Sequence, residues 1–229
     1  RAVYNNKEIN AVIKVLKNES LTLIDGKYVK KLENVVAKIF GKKYGLMVNS
    51  GSSANLLAIS AFNFKKGSEI ITPSLTFATT VAPIYQANCV PYFIDVLDRQ
   101  FIANVDQIEK CITKKTVAIM IPNLLGNIAN WNIIFKLAKK YNLKVIEDSA
   151  DTLGYKYNNN NTGKLSDAVS TSFYGAHLIT GAGFGGIVCF NDKKLYENAK
   201  MLREYGRSSA IFDQNVGVKP RFKKKCILI

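Results

Sequence analysis

The chain has 229 residues, 48% of them hydrophobic and 21% charged, which describes one large globular domain with enough apolar material for a sizeable core. No apolar run approaches the roughly 18 residues of a membrane span, and the opening Arg1-Ala2-Val3-Tyr4-Asn5-Asn6 lacks the apolar stretch of a signal peptide, so no membrane partner and a cytoplasmic location are expected. The net charge of +15 would suit a polyanion, but most lysines fall in pairs on polar helix faces (Lys30-Lys31, Lys139-Lys140, Lys193-Lys194) without interleaved aromatic residues for base stacking, so no nucleic-acid partner is expected, and a nucleic-acid-binding protein stays as a remote alternative that rests on charge alone.

In chain order, helical periodicity predicts helices at 8–17 and 27–40, the second preceded by Asp25 as a cap and closed by Gly41. Strand-length apolar runs then recur at 44–48, 69–72, 90–95, 117–121, 144–148, 169–174 and 187–190. Helices are predicted between and after them at 54–64, 76–87, 105–111, 130–141 and 192–205. Strands joined by crossover helices imply a three-layer α/β/α domain around a seven-stranded, mostly parallel sheet, with ligands at the strand C-terminal ends. Residues 158–161, four asparagines in a row, read as a surface turn. The cysteines Cys89, Cys111, Cys189 and Cys226 show neither C-x-x-C spacing nor a disulfide pattern, and no metal site is expected.

Chemistry is therefore sought where strands end. Asn49-Ser50-Gly51-Ser52-Ser53-Ala54 lies between a strand and a helix, where small residues let backbone N–H groups approach a phosphate, although Ser-rich turns also serve only as caps. Glu147-Asp148-Ser149-Ala150-Asp151 follows the strand at 144–148; a carboxylate there could fix a metal, a ribose or a protonated ring nitrogen. The link between the last two strands, residues 172–186, holds five glycines within residues 175–186 and the single histidine of the chain, His177. Such glycine density implies unusual backbone geometry or close approach to a ligand, and imidazole is the commonest general acid–base group.

Taken together and in this order, these segments resemble the DegT-type nucleotide-sugar aminotransferases and dehydrases, which adopt fold-type I of the pyridoxal-phosphate enzymes. Leu21-Thr22-Leu23 with Tyr28-Val29-Lys30-Lys31-Leu32-Glu33 is similar to the N-terminal segment of that family, and residues 48–58 to its phosphate cup. Residues 73–80 are similar to the segment whose aromatic residue stacks on the cofactor ring, and residues 146–154 to the one whose aspartate pairs with the pyridine nitrogen. The resemblance implies that Gly51, Ser52 and Ser172 hold the cofactor phosphate, that Phe77 stacks on the ring, and that Asp148 pairs with its nitrogen, with Asp151 also at the cofactor. For Phe77 the alternative is a core aromatic on an amphipathic helix.

Where the aminotransferases of this family carry the lysine that forms the internal Schiff base, this chain has His177. That substitution resembles the 3-dehydrase branch, in which untethered pyridoxamine phosphate condenses with a nucleotide-linked 4-keto-6-deoxy sugar. A base then removes a proton and the 3-hydroxyl departs. Neutral imidazole suits that role, and Asp151, where the aminotransferases more often carry glutamine, fits the same branch. The alternative is a family member in which His177 has replaced the lysine without that specialisation. The expected cofactor is thus pyridoxamine or pyridoxal 5'-phosphate, not covalently attached, in a homodimer acting on a nucleotide sugar. The expected organisation is an N-terminal helical segment at 1–40, a cofactor-binding large domain at 41–215 and a basic tail at 216–229, of which the residues from about 223 onward do not resemble the family. The small C-terminal domain is expected to be missing.

Overall fold

Runs such as Ile70-Ile71 and Ala118-Ile119-Met120-Ile121 place apolar side chains on both faces of a strand, which is stable only if helices cover both sides. The computed structural model of the protein, which describes residues 4–18, 25–177 and 179–206, has that arrangement. After helices α1 (Asn6–Leu16) and α2 (Lys27–Ile39) come β1 (Tyr44–Val48), α3 (Gly51–Ser60), β2 (Glu69–Pro73), α4 (Ala78–Gln86) and β3 (Val90–Ile94). They are followed by α5 (Ile108–Cys111), β4 (Thr116–Pro122), α6 (Trp131–Tyr141) and β5 (Lys144–Asp148). A small hairpin, β6 (Lys156–Tyr157) and β7 (Asn160–Asn161), precedes β8 (Ala168–Ser172), β9 (Gly186–Phe190) and α7 (Lys193–Arg203).

The main sheet has seven strands in the order β1-β9-β8-β5-β4-β2-β3. Every pairing is parallel except those of β9, which runs antiparallel to both β8 and β1. One face carries Leu46, Ile70, Met120, Ile146, Ala168 and Val188 against α3 and α7. The other carries Ile71, Ile119 and Val145 against Trp131, Ile134 and Leu137 of α6, with Val169 and Ile187 against Val36 and Phe40.

Several boundaries differ from the sequence reading for local reasons. Helix α3 starts at Gly51, not at residue 54, because the Ser50 hydroxyl accepts the Ser53 N–H at 3.1 Å and so caps the helix earlier. Asp25 does not cap α2: Gly26 is the N-cap and makes no side-chain bond. Residues 158–161 are not wholly a turn. Only Asn158 and Asn159, both at positive φ, make it, while Asn160–Asn161 pairs with Lys156–Tyr157 as a hairpin strand. The segment at 21–23 and the tail from 216 lie outside the described residues.

The free edge of β1 is closed by side chains. Met47 donates its N–H to Glu33 Oε1 at 2.7 Å, and its carbonyl accepts from Arg203 Nη1 at 3.0 Å. Arg203 also reaches Glu33 (3.4 Å), Asp25 (3.5 Å) and Glu204 (2.6 Å). Burial pushes the Glu33 carboxyl above its ordinary value, against the pull of its bond from Met47 and of Arg203. Removing the cation leaves that carboxylate buried and the strand edge open, so Arg203→Ala should lower unfolding free energy by about 3 kcal/mol in urea titrations.

Candidate active site

Because β9 runs antiparallel to β8, residues 173–185 need not cross the sheet, and they stay at its C-terminal edge. There Ser172 of β8 and Val48 of β1 both lie opposite Gly186 of β9. The turn after β1 is packed hard against them. A Cβ on Gly51 would sit 2.6 Å from Ser172 Cβ, so only glycine lets the start of α3 approach this closely. The first N–H groups of α3 have no partners within the helix; the Ser50 hydroxyl takes that of Ser53, and Gly51 stands beside the Ser172 hydroxyl.

Asp148, at the end of β5, is 7% exposed. Its Oδ2 accepts from Asn55 Nδ2 of α3 at 2.8 Å and from Thr80 Oγ1 of α4 at 2.9 Å, and Oδ1 accepts from Ala150 N at 3.2 Å. Burial pushes this carboxyl above its ordinary value although all three bonds favour the ionised form. Asn55 also donates to the Thr79 carbonyl and accepts from Ser170, tying α3, α4, β5 and β8 together. Asn55 and Thr80 were missed in the sequence. The available signal was a polar side chain on each of two mainly apolar helices.

Phe77 is the N-cap residue of α4 and 67% exposed, which overturns the core alternative for it. It stands one residue from Thr76, whose hydroxyl donates to Thr80 at 2.9 Å, so it belongs to the turn that reaches Asp148. Ser52, in the first turn of α3, makes none of these bonds.

His177 sits in a link that folds on itself: Phe173 N bonds Gly185 O, Gly175 N bonds Gly183 O, and Gly181 N bonds Phe173 O. Its ring lies edge-on to Tyr174 at 5.8 Å. Gly183, at φ 135°, takes a backbone conformation that suits glycine. A Cβ on Gly186 would meet the Ser50 carbonyl carbon at 2.3 Å. Gly186 therefore serves the close packing of the edge, and Gly183 the backbone turn of the link. Asp151 faces the histidine, its Oδ1 3.7 Å from His177 Nε2. Gly51, Asp148, Asp151, Ser172 and His177 thus lie at the strand C-terminal edge, the position where open α/β sheets bind ligands.

A mostly parallel seven-stranded sheet covered on both faces, with a glycine-opened helix start and a buried aspartate at one edge, has the architecture of the large domain of fold-type I pyridoxal-phosphate enzymes. The chain belongs to the DegT/DnrJ/EryC1/StrS aminotransferase family, whose sequence model matches residues 3–226. It is 32% identical over 212 residues to a GDP-4-keto-6-deoxy-D-mannose 3-dehydratase of Yersinia pseudotuberculosis, a match covering 90% of this chain and 53% of the relative. It is 37% identical over 181 residues to a GDP-perosamine synthase of Escherichia coli O157:H7, covering 79% and 50%. Among solved structures, E. coli GDP-4-keto-6-deoxy-D-mannose-3-dehydratase with bound hydrated PLP superposes with a TM-score of 0.84 at 31% identity, covering 91% of this chain and 54% of that one. The chain spans about half the length of these relatives.

Since the folded-state value of Asp148 is raised, the folded chain holds its proton to higher pH than the unfolded one, and stability falls as pH rises through that window. Asp148→Asn keeps an oxygen to accept from Asn55 and Thr80 but turns its NH2 toward the Ala150 N–H, a cost that does not vary with pH. Its stability relative to the parent chain should therefore rise as pH climbs from below the ordinary carboxylate value of about 3.9 toward neutrality, as read by thermal melts across pH.

Proposed function

We propose that this chain is the cofactor-binding part of a 3-dehydrase that uses non-covalently held pyridoxamine or pyridoxal 5'-phosphate to act on a nucleotide-linked 4-keto-6-deoxyhexose. The observation that carries the reading is His177, an imidazole paired with a carboxylate at the edge where a lysine would be needed to tether the cofactor.

The residues present fit that cofactor. Among the described residues, the hydrogen-bond donors to buried Asp148 are all neutral. A cationic ring nitrogen would relieve the burial cost that raises this carboxyl. Gly51 and Ser52 at the start of α3, with Ser172, would hold the phosphate through backbone N–H and hydroxyl groups. Phe77, exposed at the start of α4, offers a flat apolar face to the ring. When bound, the cofactor supplies an electron sink that stabilises negative charge developing on carbon. His177 takes up the proton at a ring nitrogen, and Asp151 stabilises the charge the imidazole acquires. A subunit pair is proposed as the working form, in the cytoplasm, with the nucleotide-sugar as substrate.

A second reading follows from the similarity to a GDP-perosamine synthase: a family member that binds the sugar without expelling its 3-hydroxyl. Incubating the protein with pyridoxamine phosphate and a 4-keto-6-deoxy nucleotide sugar separates the two, since the dehydrase reading requires a 3-deoxy product by mass spectrometry and its absence sinks that reading. Borohydride treatment of the purified protein should leave no pyridoxyl group on the chain. In His177→Lys, the same treatment should fix one equivalent of cofactor to residue 177 and dehydration should fall by at least about a hundredfold.

A further inference from the structure

Asp151 and His177 form a pair in which each member is constrained from a different side. Asp151 Oδ2 accepts the Leu125 N–H at 2.9 Å, which leaves Oδ1 facing His177 Nε2. Leu125 is left-handed, at φ 56°, in a turn that begins at buried Asn123. The Asn123 amide nitrogen bonds Glu147 (2.8 Å), Ser149 (3.2 Å) and Thr152 (3.2 Å), and its oxygen accepts from Trp131 Nε1 at 3.0 Å. The turn that presents Leu125 N–H and the segment that carries Asp151 are therefore held together by one side chain.

On the opposite side of the ring, His177 Nδ1 is buried and has no hydrogen-bond partner among the described residues. A proton placed there would be a buried, unsatisfied donor, whereas a proton on Nε2 points at a carboxylate. We infer that Asp151 is a positioning residue that holds the His177 imidazole in the tautomer protonated on Nε2, with the lone pair on Nδ1. The 3.7 Å separation is longer than a hydrogen bond, as catalytic pairs often are before ligand binds. The catalytic meaning of this role rests on the reading of His177 as the base. Its test does not.

His177 is the single histidine of the chain, so full-length protein labelled with nitrogen-15 gives one imidazole, whose two ring-nitrogen shifts report which atom carries the proton. In the ligand-free chain, at a pH where the two ring-nitrogen shifts show a neutral imidazole, the form protonated on Nε2 should exceed the other by roughly tenfold or more. In Asp151→Asn the amide oxygen can accept from Leu125, which turns the amide NH2 toward Nε2. Nε2 then becomes the acceptor, and the ratio should invert. Asp151→Ala, with nothing opposite Nε2, should give a ratio between the two. A wild-type ratio no greater than that of Asp151→Ala overturns the inference, as does a natively dispersed Asp151→Asn with an unchanged ratio. A locked tautomer in a chain that forms no 3-deoxy product would remove the dehydrase reading and leave the positioning role standing.

Discussion

A buried carboxylate supplied only with neutral donors is the constraint around which the C-terminal edge of the sheet is arranged. Asp148 ends β5, where the strand leaves the core, and its burial disfavours the ionised form. Two helices on one face of the sheet answer that cost with one donor each, Asn55 from α3 and Thr80 from α4. Asn55 can do so only because α3 begins close to the sheet, which Gly51 against Ser172 permits. The same requirement brings the turn at Phe77 to the edge, since Thr80 is one helical turn beyond it.

The reversal of β9 is the second organising feature. In a wholly parallel sheet the chain after β8 would have to cross a face before forming the next strand, as a crossover must. Running antiparallel instead, β9 returns at once, and its 13-residue approach from Phe173 to Gly185 remains beside Ser172 and the start of α3. Among the described residues, His177 has no partner on its Nδ1 side and lies near Asp151 on its Nε2 side, in a link that is short and self-bonded.

Behind Asp148, on the other face, the neighbouring Glu147 serves a different purpose. Burial pushes its carboxyl up to about 7, against bonds from Ser149, Asn123 and Gly163 and the charge of Lys42. Lys42 is itself driven down to about 8 by burial and donates to the carbonyls of Lys164 and Ser166. Glu147 contributes little net stability, because desolvation opposes the attraction of Lys42. What it does supply is connection. Through Asn123 it ties the end of β5 to the 123–131 segment, and therefore to the turn that holds Asp151. Adjacent carboxylates of one strand, on opposite faces, thus serve the site in two ways: one borders it and one anchors its frame.

The sequence by itself determined the seven strands and their chain order, because runs such as Ile119-Met120-Ile121 and Val145-Ile146 can be stable only between two helical layers. It also pointed to the strand ends around Gly51, Asp148 and the glycine-rich link, which the fold brings to one edge, and to the family through the order of those segments. Hairpin strand β7 and the true caps of α2 and α3 were less legible, since competing caps differ by small local energies. Only the tertiary structure decided the spatial strand order, the reversal of β9, the closure of β1 by Glu33 and Arg203, and the partners Asn55, Thr80 and Asn123. These residues sit 24 to 93 positions from the carboxylates they hold, and no local propensity encodes which distant acceptor a buried amide or hydroxyl will find. That choice is made when burial removes water and every polar group must take a partner from whatever the fold has brought beside it.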